Sequence, residues 1–132
     1  MASRIRPPGR EWDNENVTTV LIVDDHPSFR ATARALLEAE GFDVLGEAAD
    51  GEAAIVACEE LRPDVVLLDV QLPDLTGFQV ASRLTTNDSG PSIVLVSSRD
   101  GSDYGPLVEE SGARGFVPKG ELSGARIAAL LE

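Results

Sequence analysis

The chain has 132 residues, of which 42% are hydrophobic, and a formal net charge of −12. This length fits one domain with its own core, and the negative charge argues against direct nucleic-acid binding, because nucleic-acid binders neutralise phosphates with clustered Lys and Arg. Its one cysteine, Cys58, excludes an internal disulfide, and no apolar stretch approaches the roughly 20 residues of a membrane-spanning helix. We therefore expect a cytoplasmic protein without membrane contact.

The N-terminal segment shows neither the hydrophobic period of a helix nor that of a strand. It combines Pro, Gly, Arg, Asn and acidic residues with one aromatic residue, Trp12, and this composition favours a flexible arm over residues 1–17. We favour the interpretation that the arm is a disordered tail or a misassigned start of the chain. The alternative is a docking peptide that uses Trp12. Residues 18–132 are expected to form the folded domain.

From Thr19 onward, apolar β-branched runs alternate with segments of helical period. This alternation is the pattern of a parallel sheet with crossover helices. Three of the runs are nearly continuous in Val, Ile and Leu, as strands buried on both faces should be. The predicted strands are Val20–Asp24, Asp43–Ala48, Val65–Asp69, Ile93–Ser97 and Gly115–Pro118.

A helix is predicted after each strand. Pro27 suits the first position of the first helix, Gly41 ends it, and Pro63 stops the second before the third strand. The run Tyr104-Gly105-Pro106 interrupts the fourth helix, which should be short and irregular. The predicted helices are about Pro27–Glu40, Glu52–Leu61, Gly77–Leu84, Pro106–Ser111 and Leu122–Leu131. The fold class is therefore α/β, a five-stranded parallel sheet with helices on both faces.

Charged and hydroxyl side chains end or follow four of the predicted strands. Ligands of an open parallel sheet bind outside the carboxyl ends of its strands. Three carboxylates gathered there would repel each other unless a cation or a lysine offsets them, so the set implies Mg²⁺ with a lysine as internal countercharge. Such a site suits phosphoryl transfer. Its members are Asp24 and Asp25 ending strand one, Asp69 ending strand three, Ser97 and Ser98 ending strand four, and Lys119 after strand five.

These residues together resemble the receiver domains of two-component response regulators, which have a (βα)5 flavodoxin-like, doubly wound fold. The resemblance covers about Thr18 to Leu131. The run Asp25-His26-Pro27-Ser28-Phe29-Arg30 is similar to the opening of the nitrate-sensor-type branch, whose members often carry a helix-turn-helix output domain. The remaining matches are Asp24, Asp69, Leu72-Pro73-Asp74, Gly77, Ser97 and Lys119.

The resemblance implies a phosphoacceptor and a metal site. Asp69 would accept the phosphoryl group as an aspartyl phosphate. Asp25 and Asp69 would bind Mg²⁺ directly, Asp24 through a water molecule, and Gln71 through its backbone carbonyl. Lys119 would pair with a phosphoryl oxygen.

It also implies a switch and a control of phosphoryl lifetime. The Ser97 hydroxyl would bind another phosphoryl oxygen and draw the following loop inward, while Phe116 packs inward as the switch aromatic. Gln71 and Arg99 lie where family members control the access of water to the phosphoryl group. Phe116 could equally be an ordinary core residue, because only the resemblance distinguishes the two interpretations.

A sensor histidine kinase is the partner that the resemblance implies. The phosphorylated domain would control a separate effector protein or a DNA-binding output domain beyond Glu132, and it could form a homodimer through its fourth helix, fifth strand and last helix. The domain would not be an enzyme beyond assisting its own phosphorylation and dephosphorylation. Hydrolases of related chemistry usually place a second Asp two residues after the nucleophile, where this chain has Gln71. The remaining alternative is a receiver-like interaction scaffold that is never phosphorylated.

Three further positions carry expectations of their own. His26, beside Pro27 at a helix start, is expected to make local polar contacts rather than act as a phosphodonor or metal ligand. Tyr104 is expected to be exposed, with a partner contact left open. Pro118 precedes Lys119, whereas many family members have Pro after the Lys, so the turn after strand five is expected to differ from theirs.

Overall fold

One parallel sheet forms the centre of the molecule. The computed structural model describes residues 17–86, 90–99 and 104–131, so most of the predicted N-terminal arm lies outside the described residues. The strand order is β2-β1-β3-β4-β5. The strands are β1 (Thr19–Val23), β2 (Asp43–Ala48), β3 (Val65–Asp69), β4 (Ser92–Ser97) and β5 (Gly115–Pro118).

Helices cover both faces of the sheet. Every residue of β1 and β3 is buried, because successive side chains of these central strands point to opposite, equally covered faces. One face packs against α2 (Gly51–Leu61), α3 (Gly77–Leu84) and the short α4 (Leu107–Glu110). The other packs against α1 (Pro27–Ala39) and α5 (Gly124–Leu131). The predicted doubly wound α/β fold, with a short fourth helix, is confirmed.

Local signals explain where the helices begin and end. Pro27 occupies the first turn of α1, and Gly41, with φ of 96°, follows its last turn in the left-handed region that glycine tolerates best. The Asp50 carboxylate accepts the N–H of Ala53 at 2.8 Å and caps α2. At the start of α3, Thr76 and Gln79 form a reciprocal capping box.

The predicted limits agree with the structure within one residue, except at the last helix. Strand β1 ends at Val23, so Asp24 follows the strand instead of ending it. The predicted start of the last helix at Leu122 is wrong, because Lys119–Glu121 forms a 3-10 turn and α5 begins at Gly124. The Ser123 hydroxyl accepts the N–H of Arg126 at 3.1 Å, which is the geometry of an N-terminal cap.

The strand order reverses between β1 and β3. From β1 the chain first adds β2 on one side and then crosses to β3 on the other, so the helices that follow these strands diverge and leave a crevice at the carboxyl ends. Asp24 and Asp69 stand at that crevice. In the part of the chain that the structure describes, no helix is long and apolar enough to cross a bilayer.

Candidate acidic phosphoryl-transfer site

Four ligand-type side chains meet at the crevice. Asp24, Asp25, His26 and Asp69 each offer one atom, and these four atoms lie within 4.8 Å of one another. Asp24 is fully buried and Asp69 is 4% exposed, whereas Asp25 and His26 face solvent. Two neighbouring strand ends thus place three carboxylates in one small volume, which is partly desolvated and open on one side.

Lys119 is the countercharge of this cluster. Its Nζ lies 2.6 Å from Asp24 Oδ2 and 3.5 Å from Asp69 Oδ2, and 4.6 Å from the centroid of the Phe29 ring. Asp24 Oδ2 has no aligned hydrogen bond among the described residues, so its contact with Lys119 is chiefly a charge attraction. The lysine side chain is only 17% exposed, and the attraction is therefore less screened than that of a surface pair.

Local hydrogen bonds hold the turn after β1. The backbone N–H of His26 donates to Asp24 Oδ1 at 2.8 Å, and His26 Nδ1 lies 3.0 Å from the same oxygen. His26 thus makes the local polar contacts expected of it. Arg30 donates from Nη1 to the Asp24 carbonyl at 2.6 Å and from Nε to Glu47 at 3.0 Å. Sequence reasoning assigned no role to Arg30, although it stands in the family-like opening motif.

The electrostatics of Asp69 oppose its ionisation. Burial raises the pKa of the Asp69 carboxyl, and the nearby Asp24 carboxylate raises it further. Lys119 and the backbone N–H of Gln71 lower the pKa, but they do not cancel the rise. The ionised carboxylate is therefore held at a free-energy cost that a bound cation would reduce.

This raised pKa predicts a pH-dependent stability difference between the wild type and Asp69→Asn. A folded-state pKa above the unfolded value means that the folded protein binds the Asp69 proton more tightly, so ionisation opposes folding. In metal-free buffer, the wild type should lose stability relative to Asp69→Asn as pH rises from the usual value of 3.8 through the raised pKa. Chemical denaturation at a series of pH values measures this. A difference that stays constant across the series would contradict the raised pKa.

Three members of the cluster, Asp25, His26 and Asp69, line a pocket of about 290 Å³. Gln71 lines the pocket, and its backbone N–H lies 3.4 Å from Asp69 Oδ1. Arg99 is exposed, and its backbone N–H donates to Ser97 Oγ at 3.1 Å. The full lining of the pocket is Asp25, His26, Asp69, Gln71, Leu72, Pro73, Ser97, Ser98 and Lys119.

The loop after Asp69 is held close to the strand end. The Gly77 N–H donates to the Val70 carbonyl at 2.6 Å, and a Cβ at Gly77 would overlap the Asp69 carbonyl oxygen. The Asp74 carboxylate accepts the N–H groups of Gly51 and Glu52 at the start of α2, which lowers the pKa of Asp74. These contacts explain why the loop requires an acid and a glycine at these two positions.

Tyr104 is the residue that sequence reasoning placed wrongly. It was expected to be exposed, but it is half-buried and packs between Phe78 and Phe116, with ring centroids 5.4 and 5.6 Å away. Its hydroxyl lies 2.8 Å from Ser97 Oγ. The aromatic pocket beside Ser97 desolvates the Tyr104 ring, and the hydrogen bond to Ser97 satisfies its polar end. The sequence carries no signal for this contact beyond the presence of an aromatic residue in an irregular segment.

Comparison with known proteins settles the family. The model of the response regulator receiver domain matches residues 20–131. The chain belongs to this family. The receiver is 36% identical over 110 residues to the DNA-binding transcriptional activator EvgA of Escherichia coli K12, an alignment that covers 83% of the chain and 54% of EvgA. It spans about half the length of the curated relatives that it matches.

Solved structures agree with this assignment. The signal receiver domain of the putative response regulator NarL from Mycobacterium tuberculosis has a TM-score of 0.76 and 32% identity, over 87% of this chain and 97% of that one. A LuxR-family response regulator from Aurantimonas has a TM-score of 0.78 and 31% identity, over 88% and 86%. The expected similarity to the nitrate-sensor-type branch is confirmed, and the protein is a receiver domain of the two-component type.

Proposed function

We propose that Asp69 accepts a phosphoryl group and that the phosphorylated domain controls a partner protein or an output domain. An oxygen of the Asp69 carboxylate attacks the phosphorus atom, and the bond from phosphorus to the nitrogen or oxygen of the donor breaks. The electron pair of that bond leaves with the donor, either on acetate, which stays an anion, or on the imidazole nitrogen of a histidine, which takes up a proton. One observation carries the proposal: Asp69 lines the pocket, with Lys119 Nζ 3.5 Å from its carboxylate and with one oxygen each of Asp24 and Asp25 within 4.8 Å.

The same residues fit Mg²⁺. Its preferred ligands are oxygens in octahedral geometry, with several positions left to water. Asp25 and Asp69 would hold the ion directly, the backbone carbonyl of Gln71 would supply a third oxygen, and Asp24 would bind through water. When bound, the ion offsets the negative charge that gathers on the phosphoryl oxygens. His26 stays in its hydrogen bonds to the acidic turn, because Mg²⁺ favours oxygen over imidazole nitrogen.

Other residues would orient the phosphoryl group and respond to it. The Lys119 ammonium pairs with one phosphoryl oxygen, and the Ser97 hydroxyl donates to another. Movement of Ser97 would draw the following loop inward, and Phe116 would repack as the switch aromatic. The new charge of about −1.5 to −2 at one point drives this change. Gln71 and Arg99 would set the phosphoryl lifetime by controlling the access of water.

The partners are proposed from the family. A sensor histidine kinase would supply the phosphoryl group from a phosphohistidine. The DNA-binding description of EvgA supports a transcriptional output domain in the native protein, while a separate effector or a homodimer remains the alternative mode of output. We take residues 18–132 as the receiver unit and residues 1–17 as a segment outside it, and we place the protein in the cytoplasm.

Intact mass spectrometry after incubation with acetyl phosphate and Mg²⁺ tests the proposal. We expect the wild type to gain one phosphoryl group and to lose it again as the acyl phosphate hydrolyses. Asp69→Asn, and wild type with excess chelator, should gain none. The decay rate should change in Gln71→Ala and Arg99→Ala, and an unchanged rate in either would remove that residue from the control of lifetime.

The competing function is an interaction scaffold that is never phosphorylated. It predicts no mass gain in folded protein, whether acetyl phosphate or a phosphorylated sensor kinase is supplied. A gain in wild type that persists in Asp69→Asn would contradict the role of Asp69, because another group would then be the acceptor.

A further inference from the structure

The Ser97 hydroxyl has two hydrogen-bonding neighbours, neither of which is Asp69. Ser97 Oγ accepts the backbone N–H of Arg99 at 3.1 Å and lies 2.8 Å from the Tyr104 hydroxyl. Ser97 is 4% exposed, so these contacts are not readily replaced by solvent. The hydroxyl of Ser97 is therefore already engaged before any phosphoryl group arrives.

A phosphoryl oxygen can only accept hydrogen bonds, so Ser97 must donate its single proton to reach it. The 2.8 Å contact allows Ser97 to donate this proton to Tyr104, and a proton donated to Tyr104 is not available to a phosphoryl oxygen. We propose that Tyr104 is a positioning residue that latches Ser97 in the unphosphorylated state, and that phosphorylation of Asp69 transfers the Ser97 hydroxyl from Tyr104 to the phosphoryl group. This inference rests on the proposed function. It adds Tyr104, which does not lie at a strand end, to the residues that respond to the phosphoryl group.

Release of the latch moves more than one side chain. The Tyr104 ring lies between Phe78 on α3 and Phe116 on β5. A half-buried phenol that loses its partner is destabilised until it finds another or reaches water. Tyr104 therefore leaves or tilts within the aromatic group when Ser97 turns. The latch thus couples the phosphoryl site to the face formed by α4 and β5.

The chain offers a direct probe of this latch, since Tyr104 is its one tyrosine. Incorporation of tyrosine labelled with carbon-13 at Cζ gives a single NMR resonance that responds to the hydrogen bond of the phenol. We expect beryllofluoride with Mg²⁺, which imitates the phosphoryl group on an aspartate, to shift this resonance. Ser97→Ala should produce a shifted resonance before any addition, and beryllofluoride should then move it little.

Binding measurements supply the second arm of the test. Tyr104→Phe removes only the hydroxyl and keeps the ring between Phe78 and Phe116. Because the hydroxyl competes for Ser97, Tyr104→Phe should bind beryllofluoride about two- to tenfold more tightly, the range that one net hydrogen bond corresponds to. In the Ser97→Ala background the same substitution should leave the affinity unchanged, since the latch has no second partner there.

The possible outcomes distinguish a failure of the latch from a failure of the proposed function. If folded wild type does not bind beryllofluoride in the presence of Mg²⁺, the proposed function fails and the latch fails with it. If beryllofluoride binds but the Tyr104 resonance stays in place, or if Tyr104→Phe binds equally or more weakly, the latch alone is overturned. Weaker binding would indicate instead that Tyr104 donates to Ser97 and supports its contact with the phosphoryl group.

Discussion

Replacing Lys119 with Met is expected to lower the free energy of unfolding by about 3 kcal/mol in metal-free buffer, because it leaves two buried carboxylates without their countercharge. Lys119 Nζ lies 2.6 Å from Asp24 Oδ2 and 3.5 Å from Asp69 Oδ2. Methionine has a similar length and keeps an apolar contact with Phe29, so the substitution removes the charge with little change in packing. Urea denaturation of the two proteins at neutral pH measures the difference.

Two controls test whether the stability lost in Lys119→Met comes from removal of the lysine charge. Asp24→Asn combined with Lys119→Met removes one carboxylate together with the lysine, so the double variant should regain much of the lost stability. Added Mg²⁺ should stabilise Lys119→Met more than it stabilises the wild type, because the ion then replaces the positive charge that the lysine supplied. Wild-type stability in Lys119→Met without metal would contradict the account of Lys119 as the countercharge.

The second large effect concerns metal binding at Asp25. Asp25 lines the pocket and its side chain is 37% exposed, whereas Asp24 and Asp69 are buried, so Asp25 is the acid of the three most accessible to a hydrated ion. Asp25→Asn replaces a charged ligand by a neutral one, and we expect the affinity for Mg²⁺ to fall at least about tenfold. Isothermal titration with Mg²⁺ measures the affinity directly.

The matched control for Asp25→Asn is Asp43→Asn. Asp43 is exposed at the start of β2, at the opposite end of the sheet from the strand ends that carry the acids. Both variants lose one negative charge from a chain of net charge −12, so a general loss of electrostatic attraction affects both equally. Equal Mg²⁺ affinities of the two variants would show that Asp25 is not a ligand.

The strands and the acidic strand ends could be predicted because both follow from burial. A strand covered on two faces must be apolar throughout, so its polar end stands out in the sequence, as at Val65–Asp69. Parallel strands bring their carboxyl ends to one edge, so Asp24 and Asp69 were expected to be neighbours. Strand β1 begins one residue before the prediction, at Thr19, which exchanges hydrogen bonds with Asp64 at 2.8 and 2.9 Å.

The contacts that the sequence did not reveal are those made by irregular segments. Tyr104 precedes Gly105, which has φ of 54°, and Pro106, so no hydrophobic period indicates which way its ring points. Its contact with Ser97 depends on the path of that segment, not on local propensity. The hydrogen bonds from the start of α2 to Asp74 are a similar case. Asp74 lies in a loop without a hydrophobic period, and its partners are 22 and 23 positions away in the sequence.

Chemical mapping of the phosphorylated residue tests the central claim most directly. Borohydride reduces an aspartyl phosphate to homoserine, and peptide mass spectrometry then locates the altered residue in protein treated with acetyl phosphate and Mg²⁺. Our account predicts homoserine at position 69 and at no other aspartate of the acidic cluster. Homoserine at position 24 or 25 with Asp69 intact, or a phosphoryl group retained on a residue that borohydride does not reduce, would contradict it.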